Sequence, residues 1–417
     1  MHHFNYQNNE MYCEDVSISQ IAREVGTPFY LYSHATLRHH FLTFQKAFEG
    51  VNHLICFSAK SNSNIAVLRL FAKLGGGLDI VSGGELFRGL KAGVPPGKIV
   101  FSGVGKREDE IVYALESNIL MFNVESFQEL ELIDQCAARL NKEAPIALRV
   151  NPDVDPRTHP YVSTGLKENK FGLNVEAVVE TYSAANACSH VKVMGISCHI
   201  GSQLTEVSPF VDALGRIKDL IATLETSGIS ISYLDLGGGL GITYDQESPP
   251  HPSEYGKAIM ETLGQAPFTL ILEPGRVIAG NAGILVTRVL YTKSGEDKFF
   301  VIVDSAMNDL VRPALYGAYH AVEPVVRDRK ETIEADVVGP ICESGDFIAR
   351  DRRIPLVQSG DLLAVMSAGA YGFTMSSNYN SRLRVPEIMV KEDRFFVVRA
   401  RESYEDLIAG ESIPPFL

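Results

Sequence analysis

Long apolar runs are missing from this chain of 417 residues. No stretch approaches the roughly 20 apolar residues that cross a bilayer, which excludes a membrane-spanning helix. Basic excess is missing too: 38 Lys and Arg stand against 51 Asp and Glu, a formal charge of -13. Such a balance repels phosphate backbones and anionic lipid, so neither nucleic acid nor a membrane is an expected partner. The six cysteines (Cys13, Cys56, Cys136, Cys188, Cys198 and Cys342) lack any C-x-x-C spacing, and no metal is expected. The opening MHHFNYQNNEMY has no apolar core of the kind a secretory signal carries, and a reducing cytoplasm is the expected location. Internal repeats and low-complexity tracts are absent as well.

What is present is an ordinary globular composition, 45% hydrophobic and 21% charged. At roughly 150 residues per domain, the length predicts two or three domains. From about residue 50 to 276 one pattern recurs: a short apolar run, a turn, then an amphipathic stretch of helical period. The runs are LICFSAK, LDIVS, KIVFSG, ILMFNV, PIALRVNP, VMGISCHIG, ISYLDLGGG and FTLILEPGR, eight in all. Between them lie GELFRGLKAG, REDEIVYALES, ESFQELELIDQCAARL and similar segments, several opened by Ser, Asp or Glu and closed by Gly, as helix caps require. Count and length fit a (β/α)8 barrel over 35–280. From 281 to 417 the rhythm changes to period-2 strands with short turns (GILVTRVLYTK, KFFVIVDSA, DLLAVMSAG, EIMVKEDRFFVVRAR), which predicts an all-β domain. Residues 1–34, with the helix candidate ISQIAREVG and the run PFYLYS, are expected to pack with that β domain.

In such barrels chemistry sits at the strand ends. Lys60 closes the first run as FSAKSN. Alone, such a lysine is ordinarily a solvated surface residue; flanked by apolar strand, it also suits an amine nucleophile that forms a Schiff base with a carbonyl. His199 ends the sixth run in CHIGSQ, where a hydrogen-bonded core histidine is the common alternative. Gly201 and Ser202 follow it, offering close backbone approach and a hydroxyl. The seventh run ends in Gly237, Gly238 and Gly239, by themselves only a sharp turn, and the eighth in Glu273, Pro274, Gly275 and Arg276. Loops after strands seven and eight recur as phosphate sites in this fold, so the two segments together predict a phosphate cradle. A nucleophilic lysine, a phosphate cradle, a flat imidazole and a strand-borne acid are the parts that pyridoxal phosphate needs.

FSAKSN, LDIVSGGEL, CHIGSQ, LDLGGGLG and LEPGR, followed by GPICESGD, closely resemble the fold-type-III, alanine-racemase-like pyridoxal-phosphate decarboxylases over about residues 28–400. Cys342-Glu343-Ser344-Gly345-Asp346 has the form of the branch acting on meso-diaminopimelate; ornithine- and arginine-type enzymes usually carry Asp after the Cys. RVNPDVDPRTHPYVSTGLKENKFG also looks like that family's loop after strand five, a candidate lid near 155–170. Ser61, where the family more often has Ala, is a small departure.

By resemblance, Lys60 is the Schiff-base lysine, His199 stacks on the cofactor and Glu273 meets the pyridine nitrogen. Ser202, Gly237, Gly238, Gly239, Gly275, Arg276 and Tyr371 (in SAGAYGFTMS) hold the cofactor, chiefly its phosphate. Arg276, Arg312 and Tyr316 (in RPALYGAYH) take the substrate's distal carboxylate. Cys342 is the proton donor and Glu343 the reader of the distal amino group, both reaching the neighbouring subunit's cofactor, which implies a homodimer with shared active sites. The reaction implied is decarboxylation of meso-2,6-diaminopimelate to L-lysine. Standing alone, Arg312 reads equally as a surface ion pair, Tyr371 as packing and Cys342 as a buried small hydrophobe. The rivals are ornithine, arginine or carboxynorspermidine decarboxylases, a racemase of this fold, or a non-catalytic homologue. Glu273 argues against the racemase, and the presence of both Lys60 and Cys342 against the non-catalytic protein.

Overall fold

The computed structural model describes residues 2–155, 170–265 and 267–417. The chain forms two compact units, one of Arg38–Ile278 and one assembled from Met1–Leu37 and Ala279–Leu417. In the first, eight parallel strands run in order: His53–Ser58, Gly77–Ile80, Ile99–Phe101, Met121–Val124, Ala144–Asn151, Val191–Ser197, Tyr233–Asp235 and Thr269–Leu272. The last pairs with the first, Leu270 opposite His53, and the sheet closes into the barrel that the eight apolar runs predict.

The helices that return the chain start and stop where the sequence supplies caps. Ser82 and Ser126 each accept a hydrogen bond from a backbone N–H three residues on (Glu85, Glu129; both 3.2 Å), and Gly93, Asn118 and Asn141 end helices in the left-handed conformation. Inside the barrel, Cys56, Val100, Met121, Ala147 and Ile271 from five strands make one apolar layer. At the strands' C-terminal ends the lining turns polar yet stays buried: Ser58, Asp79, Ser102, Asn123, Arg149, Ser197, Asp235 and Glu273. Buried polar groups persist only with partners, so this layer marks the site before any ligand is considered.

Several apolar runs extend past their strands; the sixth strand ends at Ser197, before His199. The chain leaves the sheet after Asp235 and after Leu272, and Gly237, at φ +65°, turns it away. Gly237–Gly239 and Glu273–Gly275 therefore lie in loops at the strand ends, and Arg276 opens the short helix Arg276–Ala279.

The second unit holds a mixed sheet ordered Phe347–Pro355, Thr332–Val338, Phe299–Val303, Gly283–Ser294, Phe29–Ser33, Glu387–Lys391 and Arg394–Arg399. Phe29–Ser33, from the N-terminal segment, pairs antiparallel with Gly283–Ser294 and parallel with Glu387–Lys391. Its Phe29 and Leu31 pack with Ile284, Val286, Ile388 and Val390 in the unit's core. The strands Thr332–Val338 and Phe347–Pro355 were not among the expected ones. FIARDRRIP carries four charged residues, of which Arg350, Asp351 and Arg353 are exposed on the sheet's terminal strand, so the period-2 signal is broken there.

Asp309 lies buried in this unit, its Oδ2 accepting from the Ala306 amide at 3.0 Å, and burial pushes its carboxyl up to about 7. Because the folded value lies above that of an unfolded aspartate, the folded state binds the extra proton. Stability from this group is fully present below roughly pH 4 and is lost as pH rises through about 7. Asp309→Asn is expected to raise stability by about 1–2 kcal/mol near pH 8 and to change it little near pH 4. Thermal unfolding of both proteins at the two pH values checks this; an equal shift at both would contradict it.

Candidate active site

Lys60 follows the first strand in a short 3-10 turn, Ala59–Ser61, and its Nζ lies 2.7 Å from Asp79 Oδ2 at the end of the second strand. The same carboxylate oxygen accepts from Ser58 Oγ at 2.6 Å, so the amine is aimed by a buried acid that is itself fixed. Lys60, His199 and Glu273 all line one cavity of about 340 Å³, with Ser102, Asn123, Arg149, Phe171, Ser197 and Asp235.

His199 Nδ1 accepts from the Gly238 amide at 3.1 Å, which leaves the ring proton on Nε2. Burial first, then the charges of Arg149 and Lys60, hold the imidazole well below its usual pKa, so His199 is neutral and flat. Glu273 is pushed well above the carboxylate range by burial and then by Asp235 and Asp79, with Lys60 opposing. Asp235 is raised to about 6, chiefly by burial, and shares a hydrogen bond with Glu273. Asn123 Nδ2 donates to Asp235 Oδ2 (2.9 Å) and lies 3.0 Å from Ser102 Oγ, which in turn reaches Glu273 Oε1 at 3.3 Å. Glu273 is thus an acid whose protonated form is favoured at the cavity wall.

The glycine run works differently from a bare cradle. The Gly237 amide donates to Asp235 Oδ1 (2.9 Å) and the Gly238 amide to His199, so both N–H groups serve protein partners. A Cβ on Gly238 would lie 2.2 Å from the Glu273 carbonyl oxygen, and one on Gly239 2.5 Å from that of Gly201. These glycines let the loops after strands six, seven and eight pack backbone to backbone. Arg276 donates through Nη1 to Tyr244 Oη (2.7 Å) and through Nη2 to Ser202 Oγ (3.1 Å), joining loops six and eight around a fixed cation. A Cβ on Gly275 would stand 3.0 Å from Ser61, beside Lys60.

The remaining expected residues lie in the second unit. Arg312 opens the five-residue helix Arg312–Tyr316, buried, with Nη1 2.9 Å from His320 Nε2. His320 Nδ1 sits 2.8 Å from the Met366 carbonyl, so it carries the ring proton and Nε2 accepts from the guanidinium. Tyr371 takes the left-handed conformation, φ +56°, unusual for a residue with a Cβ. Cys342 and Glu343 are exposed neighbours. The expected lid near 155–170 falls mostly outside the described residues.

Several site residues carried no sequence assignment: Asp79, Ser102, Asn123, Arg149 and Asp235. Asp79 and Asp235 had the signal that singled out Glu273, an acid inside an apolar run (LDIVS, LDLGG). Arg149 is held by a buried ion pair, Nη1 to Glu125 Oε1 at 2.8 Å, whose oxygens also accept from the amides of Gly103 and Gly172.

Asn123 Oδ1 and Ser197 Oγ are buried at this cavity without a hydrogen-bond partner. With a fixed amine, a neutral imidazole and a proton-holding acid, they fit a flat heteroaromatic aldehyde bearing polar substituents. A closed barrel with a lysine just after its first strand, beside a neutral imidazole and a buried acid at one cavity, has the parts of a pyridoxal-phosphate enzyme of the barrel type. The chain belongs to the pyridoxal-dependent decarboxylases: residues 34–280 match the family described as "Pyridoxal-dependent decarboxylase, pyridoxal binding domain". Its cofactor is pyridoxal phosphate. The chain is 52% identical to the diaminopimelate decarboxylase of Haemophilus influenzae, over 99% of this chain and all of that one. Among solved structures it is similar to M. jannaschii diaminopimelate decarboxylase in complex with L-lysine (TM-score 0.95, 38% identity, 99% of this chain and 98% of that one). The Helicobacter pylori diaminopimelate decarboxylase, also complexed with L-lysine, matches at TM-score 0.91 and 42% identity over 94% of this chain and 98% of that one.

Proposed function

We propose that the chain decarboxylates meso-2,6-diaminopimelate to L-lysine and CO2, the last step of lysine biosynthesis. The observation that carries this reading is similarity over the full length to diaminopimelate decarboxylases, with the lysine, imidazole and acid gathered at one cavity. When bound, pyridoxal phosphate supplies an aldehyde for an amine to condense with and a ring that accepts the electron pair left by a departing carboxylate. Lys60 is the amine that holds it between turnovers, with Asp79 beside its Nζ to orient it. Glu273 would hold the ring nitrogen, offering its carboxyl proton there and a negative charge beside it. His199 would cover one face of the ring without adding charge. Ser202, Gly239, Gly275 and Arg276 hold the phosphate with Tyr371, while Gly237 and Gly238 fix His199 and Glu273 behind it. Arg276, Arg312 and Tyr316 take the distal carboxylate and Glu343 the distal ammonium, leaving the reacting carboxylate poorly solvated, which favours its loss. Cys342 Sγ delivers a proton to the substrate's α-carbon. Supplied with meso-diaminopimelate, the holoenzyme is expected to release CO2 and L-lysine one for one; release of CO2 without lysine would overturn the reading.

The same reading makes the protein a cytoplasmic homodimer in which Cys342 and Glu343 of each chain serve the neighbour's site. Six free thiols support a reducing compartment, and among the described residues no helix is long and apolar enough to cross a membrane. Mixing inactive Lys60→Ala with inactive Cys342→Ala gives heterodimers with one doubly damaged site and one intact site. Random exchange at equal amounts is expected to restore about a quarter of wild-type activity. If Cys342 served its own chain's site, every site would keep a lesion, and no activity would return despite verified exchange.

A further inference from the structure

We propose that Asn380 and Tyr379 are positioning residues for the decarboxylation: Asn380 fixes the backbone from which Cys342 delivers its proton, and Tyr379 orients the Glu343 carboxylate. This rests on the reading that Cys342 and Glu343 act at the site. Cys342 and Glu343 lie in the turn between the strands Thr332–Val338 and Phe347–Pro355, an exposed stretch where a thiol and a carboxylate would otherwise wander. Two side chains from one distant segment meet them. Asn380 Oδ1 accepts from the Cys342 amide at 2.8 Å, and Tyr379 Oη donates to Glu343 Oε2 at 3.3 Å.

The turn is also braced from beneath: Asp346 Oδ2 accepts from the Ile341 amide and its Oδ1 from that of Met307, both at 2.7 Å. The segment bearing Tyr379 and Asn380 is fixed on either side. Ser377 N donates to Asn308 O (2.9 Å), and Asn378 Nδ2 donates to Arg382 O (2.9 Å) and Glu402 Oε2 (2.8 Å). Between these anchors Asn380 and Ser381 both adopt left-handed backbone, φ +55° and +54°, two successive residues with a Cβ in a conformation that favours glycine. An exposed segment held this way by its surroundings, with one side chain on the Cys342 amide and the other on the Glu343 carboxylate, is built to place that turn.

The chemistry divides between the two. A main chain pinned at Cys342 fixes where its thiol points, which governs proton delivery and therefore kcat. A carboxylate with one oxygen held by Tyr379 keeps the other for an ammonium, which governs substrate binding and therefore KM.

The test uses the holoenzyme with meso-diaminopimelate. Asn380→Gly keeps the left-handed backbone at no steric cost and removes the acceptor; Asn380→Asp keeps both. Expected are a tenfold or greater fall in kcat for Asn380→Gly and recovery of most of that loss in Asn380→Asp. For Tyr379→Phe, KM is expected to rise about tenfold, by more than kcat falls. Thermal unfolding of each variant establishes that it is folded. If Asn380→Gly matches the wild type while Cys342→Ala is impaired, the positioning role is wrong and the role of Cys342 stands. If Cys342→Ala itself turns over normally, the underlying reading fails instead. Equal losses in Asn380→Gly and Asn380→Asp, or a Tyr379→Phe defect in kcat alone, would also overturn the inference.

Discussion

Lys60→Ala is expected to lower kcat by at least about four orders of magnitude, equivalent to about 5.5 kcal/mol of lost barrier reduction. Lys60 Nζ is the amine placed at the cavity, 2.7 Å from a buried carboxylate that aims it and beside the neutral His199 and proton-holding Glu273. Lys106, whose amine is buried, points elsewhere: its Nζ is taken by Glu129 Oε1 and by the carbonyls of Gly103 and Asn123. On the proposed role, removing Lys60 leaves the cofactor without its covalent holder. Borohydride reduction followed by mass measurement should find a cofactor adduct on the wild type and none on the variant. An adduct of equal yield, or turnover near the wild-type rate, would move the chemistry to another residue.

Glu273→Gln is expected to keep the cofactor bound through Lys60 while cutting the rate by about two to four orders of magnitude. The amide preserves size, and its NH2 still donates toward Asp235, so the buried pair is not left with an unmet partner. What it loses is the exchangeable proton and the negative charge that remains once that proton is given up. The carboxyl's pKa is raised because it is buried against Asp235 and Asp79; a positive ring nitrogen is the partner that reverses this cost. Single-turnover kinetics on variant protein with its cofactor content verified measures the effect. Unchanged turnover would mean that the ring nitrogen is tuned by another group.

The eight apolar runs were enough to read the barrel, because strands buried on both faces are nearly continuous in Val, Ile, Leu and Phe. The same reasoning misjudged where strands seven and eight end. Asp235 and Glu273 continue apolar runs, but the strands end at Asp235 and Leu272, where the glycines and Pro274 turn the chain. Lys60, His199 and Glu273 stood out because each is a polar residue closing an apolar run. Asp79 and Asp235 obey the same rule, but a lone acid in an apolar run does not reveal that three such acids gather in one buried layer. Arg149, Ser102 and Asn123 were hidden for another reason: their place in the site comes from strand register, which puts residues from all eight runs on one ring. In the second unit, Phe347–Pro355 was missed because its exposed charges interrupt alternation on a sheet's terminal strand.

Comparison of kcat/KM for meso-diaminopimelate with that for ornithine and arginine, on one preparation of holoenzyme, tests the central claim most directly. A site that reads a distal carboxylate through arginine rejects a substrate lacking it, because its buried cations are then left unpaired. The expected ratio is at least about 10⁴ in favour of meso-diaminopimelate, with L-lysine as its product. Ornithine or arginine turned over within tenfold of meso-diaminopimelate would contradict the assignment, even with cofactor and Lys60 behaving as described.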